Sequence, residues 1–153
     1  MTRAHESNNR PQLVIVGASL PDRSLAYLAT PYTNYKDGIE IAFREAARIT
    51  GQLLLAGVEA YSPIAHCHPL SVHANIDALD RDFWLRYQET FMARCDVLIV
   101  AQMKGWKESI GVQHEIKFFL ERKRVVFFLD PVSMNMRRMT TTLGGIERER
   151  EAS

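Results

Sequence analysis

Residues 95–115, CDVLIVAQMKGWKESIGVQHE, hold the densest run of side chains able to do chemistry. The apolar stretch 96–101 reads as a strand, followed by a loop carrying Gly105, Trp106, Ser109 and Gly111, and then a helix over 109–122 that carries Glu115. In parallel α/β proteins the loops at the carboxyl ends of the strands line the binding crevice, which places this junction where ligands sit. Glu115 falls in the first turns of the helix, where the positive end of the helix dipole favours an ionised carboxylate. An ionised, pre-positioned carboxylate can attack as a nucleophile or stabilise developing positive charge. Ser109 suits the N-cap, and its hydroxyl with the free amides behind it could hold a phosphate. Gly105 and Gly111 allow a tight turn or a close approach of backbone to ligand. The plain alternative is a capping serine and a solvated glutamate. Against it, Val112, Ile116, Phe119 and Leu120 mark the buried face, and Glu115 lies near that face, where a carboxylate needs a partner or a role.

Three further clusters carry reactive side chains. In ATPYTNY (residues 29–35), at the end of a strand, Pro31 tightens the loop, while Tyr32 and Tyr35 offer ring faces and hydroxyls. The alternative there is a proline turn with edge-packed tyrosines. In YSPIAHCHP (residues 61–69), His66, Cys67 and His68 invite a metal reading, with His73 as a third ligand. The HCH spacing is poor for one, because neighbouring side chains of an extended segment point apart, and no CxxC or HExxH pattern supports it. A histidine lining a pocket or closing a loop, beside a small buried cysteine, is the better reading, so no metal is expected. In residues 80–87, Asp80 is a natural N-cap, followed by Asp82 and the aromatic pair Phe83 and Trp84.

The elements that must position these groups are legible in the periodicity. Residues 25–29 (LAYLA) form a strand, and residues 37–55 have apolar side chains at helical spacing, with Asp37 as N-cap and Gly57 as the stop. A short strand follows over 58–61, then a loop over 62–76 with two prolines and three histidines, a helix over 80–94, the 96–101 strand, the 109–122 helix and a last strand over 124–129. Residues 13–18 (LVIVGA) are also strand-like and are expected at the edge of the sheet, since no helix follows them directly. The tail from 134, which ends in the charged ERERE run, reads as a loop with a frayed helix. Alternating strands and helices predict a single α/β domain, three layers deep, with a parallel sheet of about five strands. Short strands that are apolar throughout fit a sheet buried on both faces. The domain is expected over 25–131, with an N-terminal extension over 1–24 and a C-terminal tail over 132–153.

Composition sets the outer bounds. The chain has 153 residues, 46% of them hydrophobic and 24% charged, and a formal net charge of +1. That length supports one domain with a real core, and the balance gives no electrostatic reason to expect a nucleic acid polymer or an acidic membrane as partner. Two cysteines do not make a disulfide scaffold. No apolar run approaches the ~20 residues of a membrane span, and the polar first twelve residues make a poor signal peptide. A cytoplasmic setting is the expectation.

Taken in order, YLATPY after the first core strand, a helix ending in LLLAG, a strand running into YSP, a helix ending in CD, and S-x-G-x-x-x-E at a helix start resemble the nucleoside 2-deoxyribosyltransferase superfamily. The nearest likeness is to its uncharacterised bacterial branches of the DUF1937 and DUF4406 type. It spans roughly residues 25–131, and the last motif is its most specific part. The resemblance implies a flavodoxin-like fold and cleavage of an N-glycosidic bond in a nucleoside or nucleotide, without cofactor. It implies that Glu115 is the nucleophile on the anomeric carbon. It makes Ser109 a contact to sugar, phosphate or base, and puts Tyr32, or less favourably Tyr27, in the pocket. The binding set expected around Glu115 is Pro31, Tyr32, Ser62, His66, Gln88, Gly105, Trp106, Ser109 and Gly111. A homo-oligomer, dimer or tetramer, is implied as well. One position departs from the pattern: Gln88 stands where the family often has an aspartate that assists the leaving base. Help would then come from Asp80, Asp82 or His66, or be absent, and a non-catalytic nucleotide-binding domain is the competing reading.

Overall fold

A computed structural model of the chain describes residues 13–16 and 19–140. In chain order the elements are β1 (Ile15–Val16), β2 (Leu25–Ala29), α1 (Ile39–Leu55), β3 (Glu59–Tyr61), α2 (Pro63–His73), α3 (Arg81–Met92), β4 (Val97–Ala101), α4 (Ile110–Glu121), β5 (Val125–Leu129) and β6 (Met136–Arg138). They form one six-stranded sheet in the order β1-β6-β5-β4-β2-β3. The strands β3, β2, β4 and β5 are parallel, with β3 at the edge, and the unbroken apolar character of β4 fits its place inside the sheet, where every residue is buried. Alternate residues serve opposite faces. Ala26 and Leu28 pack with Ile49 and Leu53 of α1, while Tyr27 and Ala29 pack with Val112, Ile116 and Phe119 of α4. The result is the expected α/β arrangement with helices on both sides of the sheet.

Several boundaries differ from the sequence reading. Residues 63–73 are helical rather than looped. Ser62 caps the helix by accepting from the Ala65 amide at 3.1 Å, and Pro63 occupies its first turn, where a missing N–H costs nothing. Only Pro69 lies inside, and the helix runs past it to His73. Helical geometry also changes the histidines. Residues two apart in a helix face different ways, so His68 is buried and His66 is exposed, whereas an extended segment would have put both on one side. The cap of α1 is Gly38 rather than Asp37; its φ of 90° is a conformation glycine enters without strain. The tail contributes β6, antiparallel to β5, and β1 pairs parallel to β6 at the edge. That pairing is non-local and leaves no periodic signature in a three-residue strand. Residues 17–18 and the ERERE run lie outside the described residues.

Two polar clamps fix the end of α3 and the start of β4 that follows it. Asp96 accepts from the Leu25 amide at 2.8 Å through Oδ2, and its own amide donates to the Leu25 carbonyl at 2.8 Å. Arg124 donates to the carbonyls of Met92, Cys95 and Ala93 at 2.8, 2.9 and 2.9 Å, which satisfies the carboxyl end of α3. Truncating Arg124 strands several acceptors at once. Arg124→Ala is expected to lower stability by about 2 kcal/mol, read as a lower urea midpoint at unchanged slope, with Arg124→Lys recovering part of the loss.

Candidate active site

The strand order places a switch point between β2 and β4. The chain leaves β2 through α1 toward β3, then crosses back through α2 and α3 to β4 on the other side of β2. Loops leaving the carboxyl ends of two such strands diverge and open a crevice. A cleft of about 460 Å³ lies there, within the range that takes a small organic ligand. Its walls come from residues 30–34 after β2, the inner face of α2, residues 78–88, and the β4–α4 segment from Lys104 to Glu115.

Glu115 sits in this cleft wall and is 7% exposed. Its Oε1 accepts from the Tyr27 hydroxyl at 3.1 Å, while Oε2 is buried with no hydrogen-bond partner among the described residues. Burial pushes its carboxyl up from 4.5 to about 8, against the downward pull of the Tyr27 hydrogen bond. The ionised state expected from the helix dipole is therefore corrected: Glu115 is mostly protonated at neutral pH. It lies in the second turn of α4, and the dipole fades beyond the first, so loss of water decides the outcome. Tyr27 stays protonated, since burial first and the Glu115 charge second both raise it.

Other polar atoms in the wall also lack partners. The buried Thr30 Oγ1 has none, and neither has His114 Nε2, with Glu89 Oε1 at 3.8 Å. In folded proteins buried polar atoms of this kind are completed by water, an ion or a ligand.

On the opposite wall, the Tyr32 hydroxyl lies 2.8 Å from His68 Nδ1, and His68 Nε2 lies 2.9 Å from Glu40 Oε2. Phe43 stacks on the imidazole, with ring centroids 4.4 Å apart and planes 17° from parallel. Hydrogen bonds from Arg44 and then His68 hold Glu40 below the usual carboxylate range. Burial raises the Tyr32 phenol, so it too is protonated.

The N-terminus of α4 closes the cleft. Ser109 is its N-cap and accepts from the Val112 amide at a long 3.4 Å. Gly105 has φ 79°, and a Cβ there would meet nothing within 4 Å, so the glycine serves the turn rather than close packing. Lys104 and Arg81 add exposed positive charge to the lining.

Of the residues expected from sequence, Pro31, Tyr32, Gln88, Gly105, Ser109, Gly111 and Glu115 line the one cleft. Ser62, His66 and Trp106 do not. Ser62 is spent on its helix cap, His66 bonds the Tyr87 hydroxyl at 3.0 Å on the outer face, and Trp106 packs on Phe128 at 5.3 Å. Asp80 caps α3 by accepting from the Phe83 amide at 3.1 Å, and neither it nor Asp82 lines the cleft. None of the three groups expected to stand in for the missing aspartate is in place. Glu40 and Tyr27 were the residues sequence reasoning undervalued. Glu40 reads as an ordinary first-turn acid, and Tyr27 comes second to Tyr32 as a pocket residue; Tyr32 lines the cleft, while Tyr27 reaches it only through Glu115. The signal for Tyr27 was a lone phenol in an otherwise aliphatic strand, since a buried hydroxyl usually finds a partner. Among the described residues no group of three or more His, Cys, Asp or Glu could hold a metal ion, and no helix is long and apolar enough to cross a membrane.

The family model of a domain of unknown function, DUF1937, matches residues 24–130. The chain belongs to this family. The match covers both cleft walls, from the strand that carries Tyr27 through Glu115 to the end of β5. No curated protein matches the chain.

The raised carboxyl has a consequence for stability. For an acid whose folded pKa lies above its unfolded value, the fold resists ionisation. The penalty is absent below about pH 4.5, grows as pH rises, and is complete above about pH 8. At pH 7 it is on the order of 3 kcal/mol. Glu115→Gln is expected to be more stable than the parent at pH 7 to 9 and equal to it near pH 4, measured by denaturant midpoints across that range.

Proposed function

We propose that this protein cleaves the N-glycosidic bond of a nucleoside or nucleoside 5′-monophosphate, by hydrolysis or by transfer to a second base, with Glu115 as nucleophile on the anomeric carbon. One observation carries the reading: a buried carboxyl in the cleft wall, with one oxygen held by Tyr27 and the other left without a partner among the described residues. A carboxylate so placed can bond to an anomeric carbon as the base departs, or stabilise the positive charge that develops there. The reaction needs no cofactor. Approach of an electron-poor sugar carbon favours the ionised carboxylate by opposite charge. The amides at the start of α4, with Lys104 and Arg81, supply a positive end for a 5′-phosphate. A homo-oligomer goes with this reading. Leu79 and Ile110 line the cleft yet are 60% and 61% exposed, an apolar rim for a second copy to cover.

A second reading, a nucleotide-binding domain without turnover, draws on Gln88. It lies on the cleft wall beside the Cys67 thiol and offers an amide where an acid would be useful.

Deoxynucleosides, ribonucleosides and their monophosphates, assayed by chromatography for free base, separate the two. Release that falls by at least about 10³-fold in Glu115→Ala supports the first. A ligand that raises the melting temperature without being consumed supports the second. For the active enzyme, the rising limb of kcat/KM against pH should have its midpoint at about 8, because the carboxylate is the reactive form. Tyr27→Phe removes a bond that lowers the Glu115 pKa, so its rise is expected at higher pH.

A further inference from the structure

We infer that Tyr32, backed by His68 and Glu40, is the proton donor to the departing base, a role that rests on the glycosidic reading of the same cleft. The placement is the argument. Gln88 cannot supply a proton, Asp80 is engaged in a cap, and Asp82 and His66 lie off the cleft wall. Tyr32 and His68 both line the cleft, and the two hydrogen bonds of 2.8 and 2.9 Å form an unbroken chain from the Tyr32 phenol to the Glu40 carboxylate. His68 is 6% exposed and fixed by the stacked Phe43, whereas Glu40 is open to solvent. The chain thus begins in water and ends in the cleft.

The proton balance closes. With His68 as imidazolium, Nε2–H donates to Glu40 and Nδ1–H donates to the Tyr32 oxygen, which leaves the phenol O–H, with the Ser71 hydroxyl beside it at rest, to donate to a base in the cleft. As the carboxylate of Glu115 bonds to the anomeric carbon, the C–N electron pair goes to the base. The base nitrogen takes the Tyr32 proton, and the His68 Nδ1 proton refills the phenol. His68 ends neutral and recovers a proton from water along the exposed Glu40 side. Tyr32 is the group that touches the substrate; His68 and Glu40 are positioning residues that keep it charged with a proton.

The test is a comparison of leaving groups. An N7-methylguanine leaves without needing a proton, because it already carries the positive charge. On unmodified nucleotides Tyr32→Phe should lose about 10²-fold or more in kcat/KM, and on N7-methylguanosine monophosphates less than about threefold. His68→Gln and Glu40→Gln should follow the same pattern with smaller losses, and all three variants are checked for unchanged melting temperature. Equal losses on both substrate classes, or none on either, would overturn the donor role while leaving Glu115 untouched. A wild-type protein that releases base from neither class overturns the glycosidic reading and this role with it. An independent readout needs no turnover. In nitrogen-15 spectra of the resting chain, the His68 ring N–H should be slow to exchange with water and should shift in both Tyr32→Phe and Glu40→Gln. A freely exchanging, unshifted ring would break the chain and overturn the inference.

Discussion

Tyr27 belongs to a strand whose every residue after Leu25 is buried, so its phenol must find a partner inside the protein. Glu115 belongs to the helix face packed on that strand, so its carboxyl must do the same. Each answers the other at 3.1 Å, and the bond ties the centre of the sheet to α4 across 88 residues of sequence. The start of α4, with Ser109 and its free amides, is positioned by the same packing. One buried polar contact thereby anchors to the sheet the helix that carries both a carboxyl and an N-terminus, the two features on which recognition of a charged, sugar-bearing ligand would depend.

The same contact is incomplete by design of its surroundings. A carboxyl has two oxygens, and only one is served. Leaving the other buried and unpaired costs stability that a fully apolar side chain would not. Neighbouring Thr30 and His114 add two more unserved atoms to the same wall. A core optimised only for folding would have filled these positions with hydrocarbon. Three of the four such atoms among the described residues lie at the switch point of the sheet, where the strand order opens a crevice, which is the pattern a ligand site would leave.

Much of this was visible in the chain. Apolar periodicity located β2, β4, β5, α1 and α4, and the caps at Asp80 and Ser109 fell where their side chains suggested. The misreadings have physical causes. Two prolines made α2 look like a loop, although one sits at the tolerated first turn and the helix runs on past the other to His73. The charge state of Glu115 was misjudged because the dipole was weighed without the loss of water, a tertiary quantity that no local sequence window contains. The Tyr32–His68–Glu40 chain joins residues 28 and 36 positions apart, through a helix that was not expected. Long-range polar pairs of this kind follow only once the topology is known.

The two hydrogen-bonded systems in the cleft work in opposite electrostatic senses, and this bears on how one site could handle both ends of a glycosidic bond. Glu115 is walled off from water, held by a single donor, and pushed toward its neutral form. Glu40 is open to water, flanked by Arg44 and His68, and held in its ionised form. A buried acid releases its proton when positive charge arrives beside it, which is what a sugar losing its base provides. Two carboxyls whose environments drive their pKa values apart are the usual mark of divided acid and base roles. Here the division arises from burial on one side and hydrogen-bonding partners on the other: one glutamate lies beneath the sheet-facing side of α4, the other in the first, solvent-facing turn of α1 beside Arg44 and His68.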